Sequence, residues 1–305
     1  MDPEFAEFLA AMPPLQFDDP AAQRELSAKA RAEWPLVPWP AGVSRIGDEV
    51  PAALDRSVPI RRYVPDDADE STPVVLWMHG GGYCIGHPDE DEVFCARLAA
   101  DVGVVVVSVD YRLAPEDPYP AALDDCYAAL QHVAAEVPLV VAGMSAGAGL
   151  AAAVAIRARD DGGPAIDGQV LLCPFLDATM RGASLTELPT AAVFSAADAR
   201  RCWQHYLGSL VDAPPATGSP AAARDFGRLP PAYVLAAGED CLRDEAVEYA
   251  RQLQAAGVPV ELHVVPGVPH AFTALQPGAA ISRRIRREVE GVFGRFTAGG
   301  GGQTP

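Results

Sequence analysis

Lysine is nearly absent from this 305-residue chain, Lys29 standing alone against 22 arginines. Basic charge as a whole is scarce. The net charge of −18 argues against nucleic acid or an anionic membrane surface as a partner. No apolar run approaches the roughly 18 residues of a membrane span. The six cysteines (Cys84, Cys95, Cys126, Cys173, Cys202 and Cys241) include no C-x-x-C pair, which argues against zinc ribbons and dithiol chemistry. Buried free thiols in a reducing compartment are the expectation. Met1–Phe5 lacks the basic stretch of a signal peptide, and Glu4–Ala10 continues a plausible amphipathic helix. The chain therefore reads as starting natively and residing in the cytoplasm. Gly-Lys-Ser/Thr and G-x-G-x-x-G are missing too, so a phosphate-cradling loop is not expected. There is no internal repeat, and neither a cofactor nor a metal is called for.

What is present is apolar: 50% of the residues are hydrophobic, enough for a large core. From about residue 58, β-type and α-type segments alternate. Strands are expected at Pro59–Arg62, Val74–Met78, Val104–Val109, Leu139–Ala142, Val170–Cys173, Ala232–Ala236 and Val260–Val265. Several are unbroken Val/Leu/Ile runs, the signature of strands buried on both faces of a parallel sheet. Helices are expected at Asp91–Ala100, Ala121–Ala135, Ala146–Arg159, Asp244–Ala256 and Ile281–Phe293. That rhythm means an α/β protein with a mostly parallel sheet, whose ligands bind beyond the carboxyl ends of the strands. Two regions break it. Residues 1–45 are rich in Pro, Ala and acids, with short helices at Pro3–Met12 and Ala22–Trp34, and residues 179–223 insert a helix at Ala196–Leu210. Both read as parts of a cap over the carboxyl edge.

Gly143-Met144-Ser145-Ala146-Gly147 lies between a strand run and a helix run. A serine on so sharp a turn presents its hydroxyl where a base can reach it, and glycines on either side let backbone approach. The hydroxyl needs a histidine base oriented by a carboxylate. Of six histidines, His270 follows the last strand on a Pro266-Gly267-Val268-Pro269 turn, at the sheet edge that carries Ser145. His79, His87 and His132 precede Ser145, His205 falls in the inserted helix, and His263 lies inside a strand. Asp240 ends the strand before His270 and is the favoured acid. Glu239 remains open on sequence alone, while Asp244 and Glu245 open a helix, a structural place for acids. Gly80, Gly81 and Gly82, after the strand Val74–Met78, can aim amides at a reacting carbonyl. Gly81, Gly82 and the amide of Ala146 are the natural oxyanion donors.

His79-Gly80-Gly81-Gly82-Tyr83, G-x-S-A-G at 143–147, Asp240-Cys241-Leu242-Arg243-Asp244-Glu245 and Pro269-His270-Ala271-Phe272 occur in that order. Over roughly residues 46 to 293 the chain resembles the hormone-sensitive-lipase family of α/β-hydrolases, the bacterial family IV esterases. Asp110–Glu116 and Tyr119–Ala122 add to the likeness. The resemblance implies an α/β-hydrolase fold, with a mostly parallel central sheet flanked by helices and a small helical cap. It divides the chain into a catalytic domain (46–178 and 224–298), a cap (1–45 and 179–223) and a disordered tail (299–305). It implies Ser145 as nucleophile, Asp240 as acid, His270 as base, an oxyanion hole of Gly81, Gly82 and Ala146, and His79 as an anchor of its own loop. Met144, Ala148 and Cys241 depart from the residues most frequent in the family.

The expected activity is a serine carboxylesterase acting on small-molecule esters with short- to medium-chain acyl groups, through an acyl-enzyme. Tyr83, Phe194, Trp203, Tyr206 and Leu207 are expected to wall an apolar pocket. Amide, carbamate or lactone hydrolysis by the same residues is the alternative reading, with a non-catalytic small-molecule receptor behind it. A homodimer is implied only by the resemblance.

Overall fold

The computed structural model describes residues 1–298 apart from 14, 34–36, 53–55, 135–136 and 189. The expected tail, 299–305, lies outside the described residues, as do Trp34 and Ala135, which end two of the predicted helices. Eight strands form one sheet: β1 (Val43–Ala52), β2 (Arg56–Pro65), β3 (Val74–Met78), β4 (Val105–Val109), β5 (Leu139–Met144), β6 (Gly168–Leu172), β7 (Ala232–Ala237) and β8 (Val260–Val265). Their spatial order is β1-β2-β4-β3-β5-β6-β7-β8. The two pairings that involve β2 are antiparallel, and all others are parallel.

The helices are α1 (Pro3–Ala11), α2 (Pro20–Ala32), α3 (Glu92–Val102), α4 (Ala121–Val133), α5 (Ala146–Asp161), α6 (Ser184–Glu187), α7 (Ala196–Leu207), α8 (Arg243–Ala255), α9 (Phe272–Leu275) and α10 (Ala280–Thr297). Two apolar layers result. Side chains of α3 and α10 join Val75, Trp77, Val140, Val170 and Tyr233 on one face of the sheet. Those of α4, α5 and α8 join Leu76, Val107, Val141, Leu171 and Val234 on the other. Strands covered on both faces need no polar alternation, which is why β4, β5, β6 and β7 are buried at every position. Helix α5 runs through the middle of its layer with twelve of sixteen residues buried, so its composition from Ala146 to Ile156 is apolar all round.

Strand β1, like the single-turn helices α6 and α9, is an element that periodicity missed. Only Val43 and Val50 of its ten residues are buried, so this edge strand carries almost no apolar signal. It begins at Val43, inside the stretch 1–45 expected to be cap, and pairs Val43 with Pro65. Helix α1 also sits apart from the inserted helix. Phe5 meets Phe272 edge-on at 6.2 Å, and the Asp2 amide donates to Gly267 O at 2.6 Å, so α1 braces the loop that carries His270. Phe17, further on, packs against Phe194 at the entrance of α7. No helix among the described residues is long and apolar enough to cross a membrane.

Candidate active site

Strand β5 feeds α5 through Ser145, whose φ of +56° is a conformation L-residues rarely adopt. The tightness of that turn dictates its glycines. A Cβ on Gly147 would lie 2.0 Å from Met78 O, and one on Gly143 would lie 2.4 Å from the Gly147 carbonyl carbon. Ser145 is held by its amide to Leu172 O (2.8 Å) and by its carbonyl, which accepts from Phe175 N (3.1 Å).

Three side chains, from the ends of three strands, meet in line. Ser145 Oγ stands 2.9 Å from His270 Nε2, and His270 Nδ1 stands 2.6 Å from Asp240 Oδ2. The second oxygen of Asp240 accepts from Leu242 N at 2.9 Å, which fixes the carboxylate plane. Ser145 and His270 are each 5% exposed and Asp240 1%. Little water therefore competes for these bonds. Glu239 points elsewhere, pairing with the N-terminal amine at 3.9 Å. Asp244 binds Ser184 N and Arg243. The other histidines are also engaged away from Ser145: His87 with Asp89, His205 with Phe17 O, and His263 with Glu261 and Glu288. His132 is exposed on α4.

The glycine loop closes the site from the side of β3. Gly81 and Gly82 have φ of +120° and +60°, and a Cβ on Gly81 would strike Ile85 O at 2.0 Å. Among the described residues the amides of Gly81, Gly82 and Ala146 donate to no other group. His79 holds this loop from within. Its Nδ1 is 2.7 Å from Gly80 O, and its ring stacks on Tyr111 at 4.2 Å. Burial pushes the imidazole down to about 4, so it is neutral and donates from Nδ1. Tyr83, Cys173 and Ala271 join Ser145 in having positive φ. Strained backbone of this kind, costing of order 1–3 kcal/mol per residue, concentrates where geometry is over-determined by its surroundings.

Aromatic rings cluster beside the site. Tyr83 stacks on Tyr206 at 4.1 Å and lies 5.2 Å from Trp203, while its hydroxyl donates to Phe175 O at 2.7 Å. Phe194 stacks on the His270 ring at 5.5 Å. Leu207, also predicted, is buried at the end of α7 beside Gly218. Sequence reasoning missed Phe175, which links Trp203 (4.3 Å) to Phe194 (5.4 Å), and Phe17, which meets Phe194 at 5.3 Å. Phe175 follows the carboxyl end of β6, a position that could have flagged it. Cys241, a departure from the family pattern, donates from Sγ to Phe194 O at 3.2 Å. Met144 is buried under the turn.

A mostly parallel sheet that delivers a serine, an acid and a histidine from the carboxyl ends of β5, β7 and β8, beside a glycine loop, defines an α/β hydrolase. The chain belongs to the alpha/beta hydrolase fold family, whose model matches residues 75–274, in its hormone-sensitive-lipase-like branch. It is 42% identical over 217 residues to esterase LipI of Mycobacterium tuberculosis (strain ATCC 25618 / H37Rv), covering 68% of this chain and 67% of that protein. Carboxylesterase NlhH of Mycobacterium tuberculosis (strain ATCC 25618 / H37Rv) is 40% identical over 240 residues, covering 73% and 74%. Among solved structures, a bacterial heroin esterase superposes with a TM-score of 0.91 at 33% identity, covering 97% of this chain and 98% of that one.

Proposed function

We propose that the protein is a serine carboxylesterase in which Ser145 is the nucleophile, His270 the general base and acid, and Asp240 the orienting acid. The continuous line of bonds from Ser145 Oγ through His270 to Asp240, 2.9 and 2.6 Å long, carries this reading. Relatives named esterase and carboxylesterase support it. Ser145 Oγ adds to the ester carbonyl carbon as its proton passes to His270 Nε2. Negative charge gathers on the carbonyl oxygen, to which the free amides of Gly81, Gly82 and Ala146 can donate. The alcohol leaves with the proton from His270. Water, deprotonated by the same nitrogen, then releases the acid and restores Ser145.

The enclosing rings favour short acyl groups, and medium chains require the cap to yield. Segments around Phe17 and Phe194–Leu207 act as that cap. Six buried free thiols fit the reducing cytoplasm, and a homodimer is the family-level expectation. Hydrolysis of p-nitrophenyl esters from C2 to C12, wild type beside Ser145→Ala, tests the reading. Activity should peak at short chains and vanish in the variant. Turnover surviving in Ser145→Ala would refute the assignment. Activity on amides or lactones but not on simple esters would transfer it to another acyl substrate.

A further inference from the structure

The Phe194 ring lies against the imidazole of His270 and not merely near the substrate space. The ring centroids are 5.5 Å apart and the planes 28° from parallel. The contact is held from three sides. Phe17 abuts Phe194 edge-on at 5.3 Å and 84°, Phe175 does so at 5.4 Å and 77°, and Cys241 Sγ donates to the Phe194 carbonyl at 3.2 Å. Ser195, the next residue, caps α7 with a reciprocal bond to Asp198. A side chain fixed this firmly presents a defined surface to its neighbour.

His270 gains a proton from Ser145 in acylation and from water in deacylation, so its ring becomes a cation at both transition states. Asp240 compensates that charge from the Nδ1 edge. The other titratable group against the ring is the Cys173 thiol, whose Sγ lies within 4.8 Å of the ring nitrogen. Burial and the charge of Asp240 push this thiol upward, so it is uncharged. What remains is a ring face, and the face of benzene carries negative potential that attracts a cation within about 6 Å. In a site where His270 is 5% exposed, water screens this attraction little.

We propose that the ring face of Phe194 tunes catalysis through His270, stabilising its imidazolium at each transition state. The inference rests on the assignment of His270 as base. It differs from a wall role in what it demands of the kinetics, because a wall contact depends on the acyl chain and an imidazolium contact does not.

The test replaces Phe194 in the full-length protein by phenylalanines bearing one, two and three fluorines. These keep the ring's shape while draining its face of negative potential. Both kcat/KM and the deacylation rate of p-nitrophenyl acetate should fall stepwise along the series, by the same factor. Complete loss of the interaction corresponds to roughly 2- to 30-fold. The acid limb of the rate profile should move to lower pH, because a less stable imidazolium releases its proton sooner. Phe194→Trp should keep the activity that Phe194→Leu loses. Rates flat along the series, a loss in only one step, or a loss that grows with acyl length would overturn the proposal. Ser145→Ala, run alongside, separates the two readings. If it is dead while the fluorinated series is flat, only the Phe194 inference falls, whereas turnover in Ser145→Ala removes its foundation.

Discussion

Asp91 offers a stability measurement whose sign and size both follow from its surroundings. It stands at the entrance of α3, and its carboxylate accepts from Trp77 Nε1 at 2.9 Å with no side-chain bond to the helix amides. Burial raises its pKa from 3.8 to about 6, and the Trp77 bond offsets only part of that. A carboxyl with a raised folded-state pKa holds its proton more tightly folded than unfolded. Its contribution to stability is fully present below about pH 4 and is lost as pH rises through about 6. With 1.36 kcal/mol per unit, the difference between 3.8 and 6 amounts to about 3 kcal/mol at neutral pH. About half of that is already lost at pH 5. Asp91→Asn keeps an acceptor for Trp77 and cannot ionise. Relative to wild type it should therefore gain about 1.4 kcal/mol between pH 5 and pH 8.

Urea unfolding of both proteins at the two pH values, followed by tryptophan fluorescence, measures that double difference. Glu90, raised by burial to about 7, titrates in the same window. It cancels between the two proteins apart from its repulsion with Asp91. A stability difference independent of pH would mean that the carboxylate is as comfortable folded as unfolded. A variant that loses ground at pH 8 would mean that the charged bond to Trp77 outweighs burial. Either result refutes the reasoning.

Asp240→Asn should fold with unchanged stability within about 1 kcal/mol yet lose on the order of 10⁴-fold in kcat, because the amide would favour the wrong imidazole tautomer. Ester turnover reads this directly, and an unchanged rate would return the role to Glu239. Arg112→Ala should cost about 3 kcal/mol in urea unfolding. It strips Nε and Nη2, each at 2.8 Å, from the Asp125 carboxylate, which is 1% exposed, and leaves the Arg112 amide and Arg56 to hold the charge. A cost below about 1 kcal/mol would mean that Arg56 suffices.

Most of the sheet was legible because its information is local. β3 and β8 match their expected bounds, as the chain runs there between clear turn signals; β4 to β7 shift by one or two residues, and β2 extends three residues beyond its expected bounds at each end. Glycines at 143 and 147 announced a close approach, and it is obligatory: a Cβ on Gly147 would fall 2.0 Å from Met78 O. β1 was illegible for the opposite reason: an exposed edge strand lives on hydrogen bonds to β2, and hydrogen bonds leave no periodicity. The placing of β3 between β4 and β5 is equally invisible in any single segment.

The sequence by itself determined the α/β rhythm, the serine turn, the glycine loop and the order in which serine, acid and histidine arrive. Each depends on residues a few positions apart, whose backbone preferences act before any long-range contact forms. Only the tertiary structure decided which carboxylate faces His270, since Asp240 and Glu239 differ by one residue and by the direction in which the chain leaves β7. It alone brought Phe194 onto His270, with Phe17, Phe175 and Cys241 behind it, from five separate stretches of the chain. Contacts between such distant segments are fixed by how the layers pack, and packing is a property of the assembled sheet and its helices, not of any stretch within it.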